Sequence, residues 1–258
     1  MSVVTTKELF IDVDGGSIFI KKWLPENPQY TAPIVLMHDS LGCVDLWRDF
    51  PEQLARSLSC VVIAYDRLGF GRSSINTNPP GVNFVWDEAD FYFSHIKRAA
   101  EFSTYYLFGH SVGGGMSIGI AAVDKECIGV ITESAQAFVE DLTIKGIKEA
   151  QVLFKRPEQM ARLEKWHGNK ATWVLNAWID TWLSPEYSSW SLESRISQVT
   201  CPVLAIHGDK DDFGSNAFPE YIASNVSGGS AMAIIEDCGH VPHKEKMEEI
   251  INHVRVFL

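Results

Sequence analysis

A chain of 258 residues is long enough for one α/β domain with a modest insertion. Its composition, 46% hydrophobic and 21% charged residues, is typical of a folded globular protein and excludes a disordered one. The formal net charge of −11, with no basic run interleaved with aromatic residues, argues against nucleic-acid binding.

The N-terminal residues, the apolar runs and the cysteines indicate in which compartment of the cell the protein is expected. The first ten residues show no signal-peptide pattern, and no apolar run is long enough to cross a membrane. The 5 cysteines are widely spaced and contain no Cys-x-x-Cys pair, which argues against a disulfide framework and a zinc site. We therefore expect a soluble cytoplasmic protein, monomer or homodimer, with no membrane partner, metal or cofactor.

The first predicted elements form a hairpin, with strands at residues 9–13 and 18–23 around Asp14-Gly15-Gly16. Short apolar runs follow that are typical of buried parallel strands, at residues 34–37, 61–64, 105–108, 128–131, 203–206 and 231–235. Amphipathic or small-residue stretches of helical length lie between them, at residues 47–58, 84–102 and 112–123. This alternation predicts an α/β fold whose mostly parallel central sheet carries helices on both faces.

The alternation stops between residues 137 and 197, where the spacing is helical and no strand is predicted. We interpret this segment as a helical cap inserted into a core domain formed by residues 1–136 and 198–258. The segment is rich in tryptophan. Packing of the cap on the core explains most of these side chains, but Trp173, Trp178 and Trp182 are candidates for lining a substrate pocket.

The segment Gly109-His110-Ser111-Val112-Gly113 matches the G-x-S-x-G pattern. The pattern alone is weak, but here it follows a predicted strand and precedes a small-residue helix, which is the context of a nucleophile elbow. The glycines leave room for the sharp turn that lifts the serine hydroxyl out of the sheet. The alternative, a glycine-rich phosphate-binding turn, lacks both the G-x-G-x-x-G pattern and the Walker lysine.

A nucleophilic serine needs a base, and the base needs an acid that orients it. The strand at 203–206 is followed by His207-Gly208-Asp209-Lys210-Asp211-Asp212, and the strand at 231–235 by Asp237-Cys238-Gly239-His240. Candidates for both roles thus follow later strand ends, in the order serine, aspartate, histidine.

With these segments, the chain resembles a cap-bearing member of the α/β-hydrolase superfamily over nearly its whole length. The run Asp66-Arg67-Leu68-Gly69-Phe70-Gly71-Arg72-Ser73 is similar to the family's glycine-rich loop after the fourth strand. The resemblance implies that Ser111 is the nucleophile, His240 the base and Asp211 the acid, with Asp209 and Asp212 as alternatives. It also implies an oxyanion hole formed by the N–H groups of Val112 and Ser40.

The loop that carries Ser40 departs from the family pattern. His38-Asp39-Ser40-Leu41-Gly42 has Asp39 where the family usually has glycine. Because a carboxylate beside a developing oxyanion opposes catalysis, we expect this side chain to turn away and form a local hydrogen bond.

The resemblance implies a carboxylesterase-like serine hydrolase that cleaves a small carboxylic ester through an acyl-enzyme. A serine at position 111, rather than an aspartate, argues against haloalkane or epoxide chemistry. The substrate could instead be a thioester, a lactone or a compound cleaved at a carbon–carbon bond next to a carbonyl. A non-enzymatic function, as a ligand receptor of the same fold, is a further alternative. The first half of the predicted cap is rich in basic side chains: Lys145, Lys148, Lys155, Arg156, Arg162, Lys165, Lys170. The simpler interpretation is a solvated helix face. The alternative is a surface on which an acidic carrier protein docks.

Overall fold

The computed structural model describes residues 3–78 and 80–258, which contain a single eight-stranded sheet. Its order is β1-β2-β4-β3-β5-β6-β7-β8. β1 and β2 form an antiparallel hairpin, β2 also pairs antiparallel with β4, and the remaining strands are parallel. The strands are β1 Val4–Val13, β2 Gly16–Pro25, β3 Ile34–Met37, β4 Val62–Tyr65, β5 Tyr105–His110, β6 Cys127–Glu133, β7 Val203–Gly208 and β8 Ser230–Ile235.

Eleven α-helices connect or follow these strands in the described residues: α1 Phe50–Leu58, α2 Phe84–Asp87, α3 Phe93–Ala99, α4 Val112–Val123, α5 Asp141–Leu153, α6 Pro157–His167, α7 Ala171–Trp182, α8 Glu193–Ile196, α9 Ala217–Asn225, α10 Pro242–Glu245 and α11 Met247–Phe257. Among them, none combines the length and the apolar character that a bilayer crossing requires.

The sheet is buried on both faces, because successive side chains of each strand point to opposite sides. In β3, Val35 and Met37 pack with α3, α4 and α9, whereas Ile34 and Leu36 pack with α1 and α11. All four side chains are buried. The predicted α/β architecture, with a mostly parallel central sheet and helices on both faces, is confirmed.

Two predicted helices differ from the structure. The segment 47–58 begins as a 3₁₀ turn, Val44–Trp47, and α1 starts only at Phe50, because Arg48 has a left-handed φ of 55° that breaks the helix. The segment 84–102 is helical from Phe84 to Ala99, as predicted, but not α-helical throughout. A π-helical turn, Glu88–Tyr92, separates α2 from α3, and within this turn the buried Glu88 accepts a hydrogen bond of 2.5 Å from Tyr65.

The segment between β6 and β7 contains α5 to α8. We call residues 137–197 the proposed cap. Two of its side chains bind the core directly: Nδ1 of His167 accepts from Gly71 N–H at 2.9 Å, and Lys170 Nζ donates to the carbonyl oxygens of Phe70 and Gly71 at 3.2 and 2.6 Å. These bonds fix the proposed cap against the loop that follows β4.

Candidate active site

Ser111 lies on a strained turn between β5 and α4. Its φ of 56° and ψ of −126° are unusual for a residue with a Cβ. The glycines on either side are required by space, because a Cβ on Gly109 would lie 2.2 Å from the Gly113 oxygen, and one on Gly113 would lie 2.2 Å from the Met37 oxygen. The turn therefore has the shape of a nucleophile elbow.

A hydrogen-bonded chain runs from Ser111 through His240 to Asp211. His240 Nε2 lies 3.1 Å from Ser111 Oγ, and His240 Nδ1 lies 2.9 and 2.8 Å from the two carboxylate oxygens of Asp211. The three residues come from the ends of β5, β7 and β8, which meet at the carboxyl edge of the sheet. The structure thus brings together the three residues that the sequence nominated.

The Asp211 carboxylate is completely buried and held by several donors. Phe213 N–H donates to its Oδ1 at 2.7 Å, and His207 Nε2 lies 3.4 Å from Oδ2. Burial alone would raise the pKa of Asp211, but the hydrogen bond and charge of His240, together with His207 and the Phe213 N–H, outweigh it and lower the pKa. Burial likewise opposes protonation of His240, yet Asp211, Asp39 and Glu133 raise the pKa of His240 above its ordinary value.

The two competing aspartates lie elsewhere. Asp209 accepts the N–H of Cys238 at 3.1 Å, and the exposed Asp212 has no described contact with His240. The other histidines at strand ends are buried and hydrogen-bonded, as expected for packing residues. His207 Nε2 is 3.0 Å from the Gly214 oxygen, and His110 Nε2 is 2.8 Å from the backbone oxygen of His240.

Ser40 and Val112 lie on either side of a narrow cleft next to Ser111. Within the part of the chain that the structure describes, neither backbone N–H has a protein acceptor. Val112 is the first residue of α4, whose terminal N–H groups carry partial positive charge. Both amides are therefore free to bind an oxyanion.

The Asp39 carboxylate forms only a weak local bond. Its Oδ2 accepts Leu41 N–H at 3.4 Å and its Oδ1 lies 3.9 Å from His110 Nδ1, but the side chain is 35% exposed and lines the same cavity as Ser111. The expectation that Asp39 turns away therefore holds only in part. Burial would raise the pKa of Asp39, but electrostatic interactions with His110, His38 and Lys244 lower it to about 2.

Three adjacent cavities meet at this site. The catalytic cavity, about 150 Å³, is lined by Ser111, His240 and Asp39. A neck of about 40 Å³ follows and shares Ser40 with it, and the neck shares Arg67 with an outer cavity of about 220 Å³. The tryptophans proposed as pocket residues line these spaces: Trp178 and Trp182 both the catalytic cavity and the neck, Trp173 the neck and the outer cavity.

Gln136 is a site residue that the sequence did not indicate. It is 5% exposed, follows β6 and places its side-chain amide beside the nucleophile, with Nε2 donating to Ser111 Oγ at 3.2 Å. A lone glutamine in a loop carries no motif, so only the fold reveals its position.

A second buried cluster lies behind His240. The ligand atoms of His110, Glu133 and His243 are all within 4.8 Å of one another, a donor set of the kind that binds transition metals. Two contacts are already made within the protein, since His243 Nδ1 lies 2.5 Å from Glu133 Oε2 and His110 Nε2 lies 2.8 Å from the His240 backbone oxygen, whereas Glu133 Oε1 is buried without a partner among the described residues. Burial raises the pKa of Glu133 to about 7 and lowers that of His243 to about 3, so a neutral hydrogen-bonded pair explains the cluster.

The basic surface of the proposed cap is smaller than the sequence suggests. Lys170 is 8% exposed and donates to core carbonyl oxygens, so it does not belong to a docking face. Lys145 and Lys148 are exposed on α5, where Lys145 pairs with Glu149 at 3.9 Å. Docking of an acidic carrier protein stays a prediction.

The sequence profile of the Alpha/beta hydrolase family matches residues 34–253, and the chain belongs to that family. A search of curated protein sequences found no significant match.

Solved structures share the fold at low sequence identity. A membrane phospholipase A, described as a bacterial virulence factor, has a TM-score of 0.76 at 20% identity over 98% of this chain and 85% of that one. An α/β hydrolase fold protein from Chitinophaga pinensis has 0.76 at 16% over 98% and 97%. A serine hydrolase involved in carbazole degradation has 0.75 at 18% over 98% of each chain.

Proposed function

We propose that the protein is a serine hydrolase that cleaves a small carboxylic ester through an acyl-enzyme at Ser111. Family membership supports a hydrolase. The observation that carries the serine mechanism is the continuous hydrogen-bonded chain from Asp211 through His240 to Ser111, on a strained elbow that exposes the nucleophile to a cavity.

In the first half-reaction, Ser111 Oγ attacks the ester carbonyl carbon while its proton passes to His240 Nε2. The resulting oxyanion accepts hydrogen bonds from the N–H groups of Ser40 and Val112, each of which supplies about 3 kcal/mol in comparable sites. The imidazolium, stabilised by Asp211, then protonates the leaving alkoxide, and the carbon–oxygen bond breaks. An alcohol leaves and the acyl group stays on Ser111.

The second half-reaction repeats these steps with water. His240 Nε2 takes a proton from the water as its oxygen attacks the acyl carbon, and the same two amides hold the second oxyanion. The imidazolium returns the proton to Ser111 Oγ as the acyl bond breaks. A carboxylic acid is released and the free enzyme is restored.

The test combines labelling with turnover. A fluorophosphonate probe should label the wild type and fail on Ser111→Ala, while His240→Ala should label far more slowly. Ser40→Ala is the matched control, because it removes the other serine hydroxyl of the catalytic cavity but keeps the backbone N–H. Labelling that persists in Ser111→Ala would refute the assignment of the nucleophile.

The same variants should be assayed on p-nitrophenyl and methyl esters of increasing acyl length, with lactones and thioesters in the panel. We expect the highest kcat/KM for short open-chain esters, because the neck beyond Ser40 is narrow. If kcat/KM is higher on lactones or thioesters, that class would be the preferred substrate in place of carboxylic esters. The acyl-enzyme mechanism at Ser111 would be unchanged.

A further inference from the structure

Arg67 is a buried cation beside the oxyanion amides. It follows β4, is 5% exposed and lines both the neck and the outer cavity. Its guanidinium lies over the Phe70 ring, 4.5 Å from the ring centre. A charge in such a place is costly unless something compensates it.

The protein compensates Arg67 incompletely. Nη2 donates to the Asp39 backbone oxygen at 2.7 Å and Nη1 to the Met116 sulfur at 3.1 Å, which is a weak acceptor. Nε donates to His38 Nε2 at 3.3 Å, an atom that the backbone N–H of Arg67 shares at 3.2 Å.

A second contact joins the guanidinium to His38, with Nη2 of Arg67 3.2 Å from Nδ1 of the ring, but Nδ1 cannot accept if it carries the ring proton. Burial lowers the pKa of His38 well below its ordinary value, so the ring is neutral and carries one proton. That proton lies on Nδ1, which donates to the Asp39 oxygen at 2.8 Å. An arginine has about five N–H donors, so one hydrogen on each terminal nitrogen of Arg67 is left without an acceptor.

No carboxylate of the described residues forms an ion pair with Arg67. The carboxylates of Glu88 and Asp39 act on the guanidinium charge only at a distance, and Glu88 accepts a hydrogen bond from Tyr65. Trp173 and Trp182, which also line the neck, have indole nitrogens that are buried without an acceptor. The described residues around Arg67 thus leave several N–H donors without a partner.

The two ends of the site are electrostatically different. His240, which must protonate the leaving group, lines the catalytic cavity together with the Asp39 carboxylate. Arg67 lines the neck, on the other side of Ser40 and Val112. With the carbonyl oxygen at these two amides and the leaving group at His240, the acyl chain extends into the neck toward Arg67.

We propose that Arg67 binds a carboxylate at the far end of the acyl group, so that the preferred substrates are half-esters of short dicarboxylic acids. A carboxylate supplies the acceptors that Arg67 lacks, in the planar two-oxygen arrangement that a guanidinium fits. The acidic Asp39 disfavours the opposite orientation, with the anion in the leaving group. This substrate class rests on the serine hydrolase function proposed above.

The experiment compares monomethyl esters of succinic, glutaric and adipic acid with methyl esters of neutral monoacids of the same length. We expect the wild type to favour the half-esters by about 10- to 150-fold in kcat/KM, the range of a hydrogen bond to a charged group. Arg67→Met should lose this preference and Arg67→Lys should keep part of it. Arg98→Met, which removes an exposed arginine on α3, is the matched control and should keep all of it.

The ratio between the two substrate sets decides the question, since Arg67 also supports the Asp39 backbone. Loss of activity in equal proportion on both sets would assign Arg67 a purely structural role and overturn the proposal. Glutarate should also inhibit the wild type competitively, and more strongly than the neutral isostere, a measurement that needs no variant. A wild type that is labelled by fluorophosphonate and hydrolyses neutral esters without preferring half-esters refutes only the carboxylate site, whereas absence of labelling refutes the hydrolase mechanism.

Discussion

His167 of the proposed cap is hydrogen-bonded to Leu41, the residue after Ser40, with Nε2 3.0 Å from the Leu41 carbonyl oxygen. Its other ring nitrogen accepts from Gly71 N–H. Burial lowers the pKa of His167, so the ring is neutral and serves as donor on one side and acceptor on the other. One side chain therefore connects α6 to two core loops, one of which carries an oxyanion amide.

Replacing His167 by alanine should weaken both the fold and catalysis. The change leaves the Leu41 carbonyl and the Gly71 N–H, both partly buried, without their partner, at a cost of about 1–2 kcal/mol each. We expect the free energy of unfolding to fall by about 2–4 kcal/mol in urea denaturation, and kcat to fall because Ser40 is held less firmly. His95→Ala on α3 is the control; a loss of stability with unchanged kcat would contradict the link to the oxyanion loop.

The acid of the triad can be identified by three matched substitutions. Asp211→Asn should lower kcat by about 10³- to 10⁴-fold, because an amide does not stabilise the imidazolium and favours the wrong tautomer of His240. Asp209→Asn and Asp212→Asn should change kcat only a few-fold. Steady-state measurement of kcat on one ester distinguishes the three aspartates. A larger loss of kcat in Asp209→Asn or Asp212→Asn than in Asp211→Asn would assign the acid of the triad to that residue instead.

The charge of Asp39 should set the acid limb of the pH profile. His240 acts as a base only when neutral, so kcat/KM falls as the pH drops through its pKa. Asp39 is among the charges that raise this pKa. In Asp39→Asn the pKa of His240 is lower, and the acid limb of kcat/KM should move to lower pH. Asp12→Asn, an exposed residue of β1, should leave the limb in place, and a limb that moves upward in Asp39→Asn would contradict the assignment.

Glu133 should make stability depend on pH. Its pKa is about 7 in the fold against an ordinary 4.5, so between these values the native state binds the extra proton and stability falls as the pH rises. Glu133→Gln removes this loss. Relative to wild type, its free energy of unfolding should increase between pH 4.5 and 7, by up to about 3 kcal/mol.

Urea denaturation at several pH values measures this difference. Glu26→Gln, at an exposed site after β2, is the matched control and should show no such trend. A difference between Glu133→Gln and wild type that is constant with pH would mean that Glu133 is ionised in the fold.

The fold could be predicted because its signals are local. Apolar runs marked the parallel strands, the Asp14-Gly15-Gly16 turn marked the hairpin, and small residues around Ser111 marked the elbow. The first half of β1, from Val4, was missed because it is mostly polar and exposed. The break at Arg48 and the π-helical turn within 84–102 were also missed, since each depends on a tertiary contact or a single backbone angle that periodicity does not record.

The residues of the candidate site also fall into two groups, those that the sequence pattern predicts and those that only the folded structure reveals. Ser111, Asp211 and His240 could be nominated because each follows a strand in a fixed order. Gln136, Arg67 and His167 could not be assigned their places, because their importance comes from what the folded chain brings near them. Arg67 lies within a recognisable loop, yet nothing in the sequence shows that its guanidinium would be buried without a carboxylate partner.

The tryptophans of the proposed cap have a practical consequence. Trp173, Trp178 and Trp182 line the spaces that an acyl group must enter. Their fluorescence emission depends on the polarity around each ring, so filling the neck should change the intrinsic signal of the protein. Acylation and deacylation can then be timed by stopped flow on natural esters, without a chromogenic leaving group.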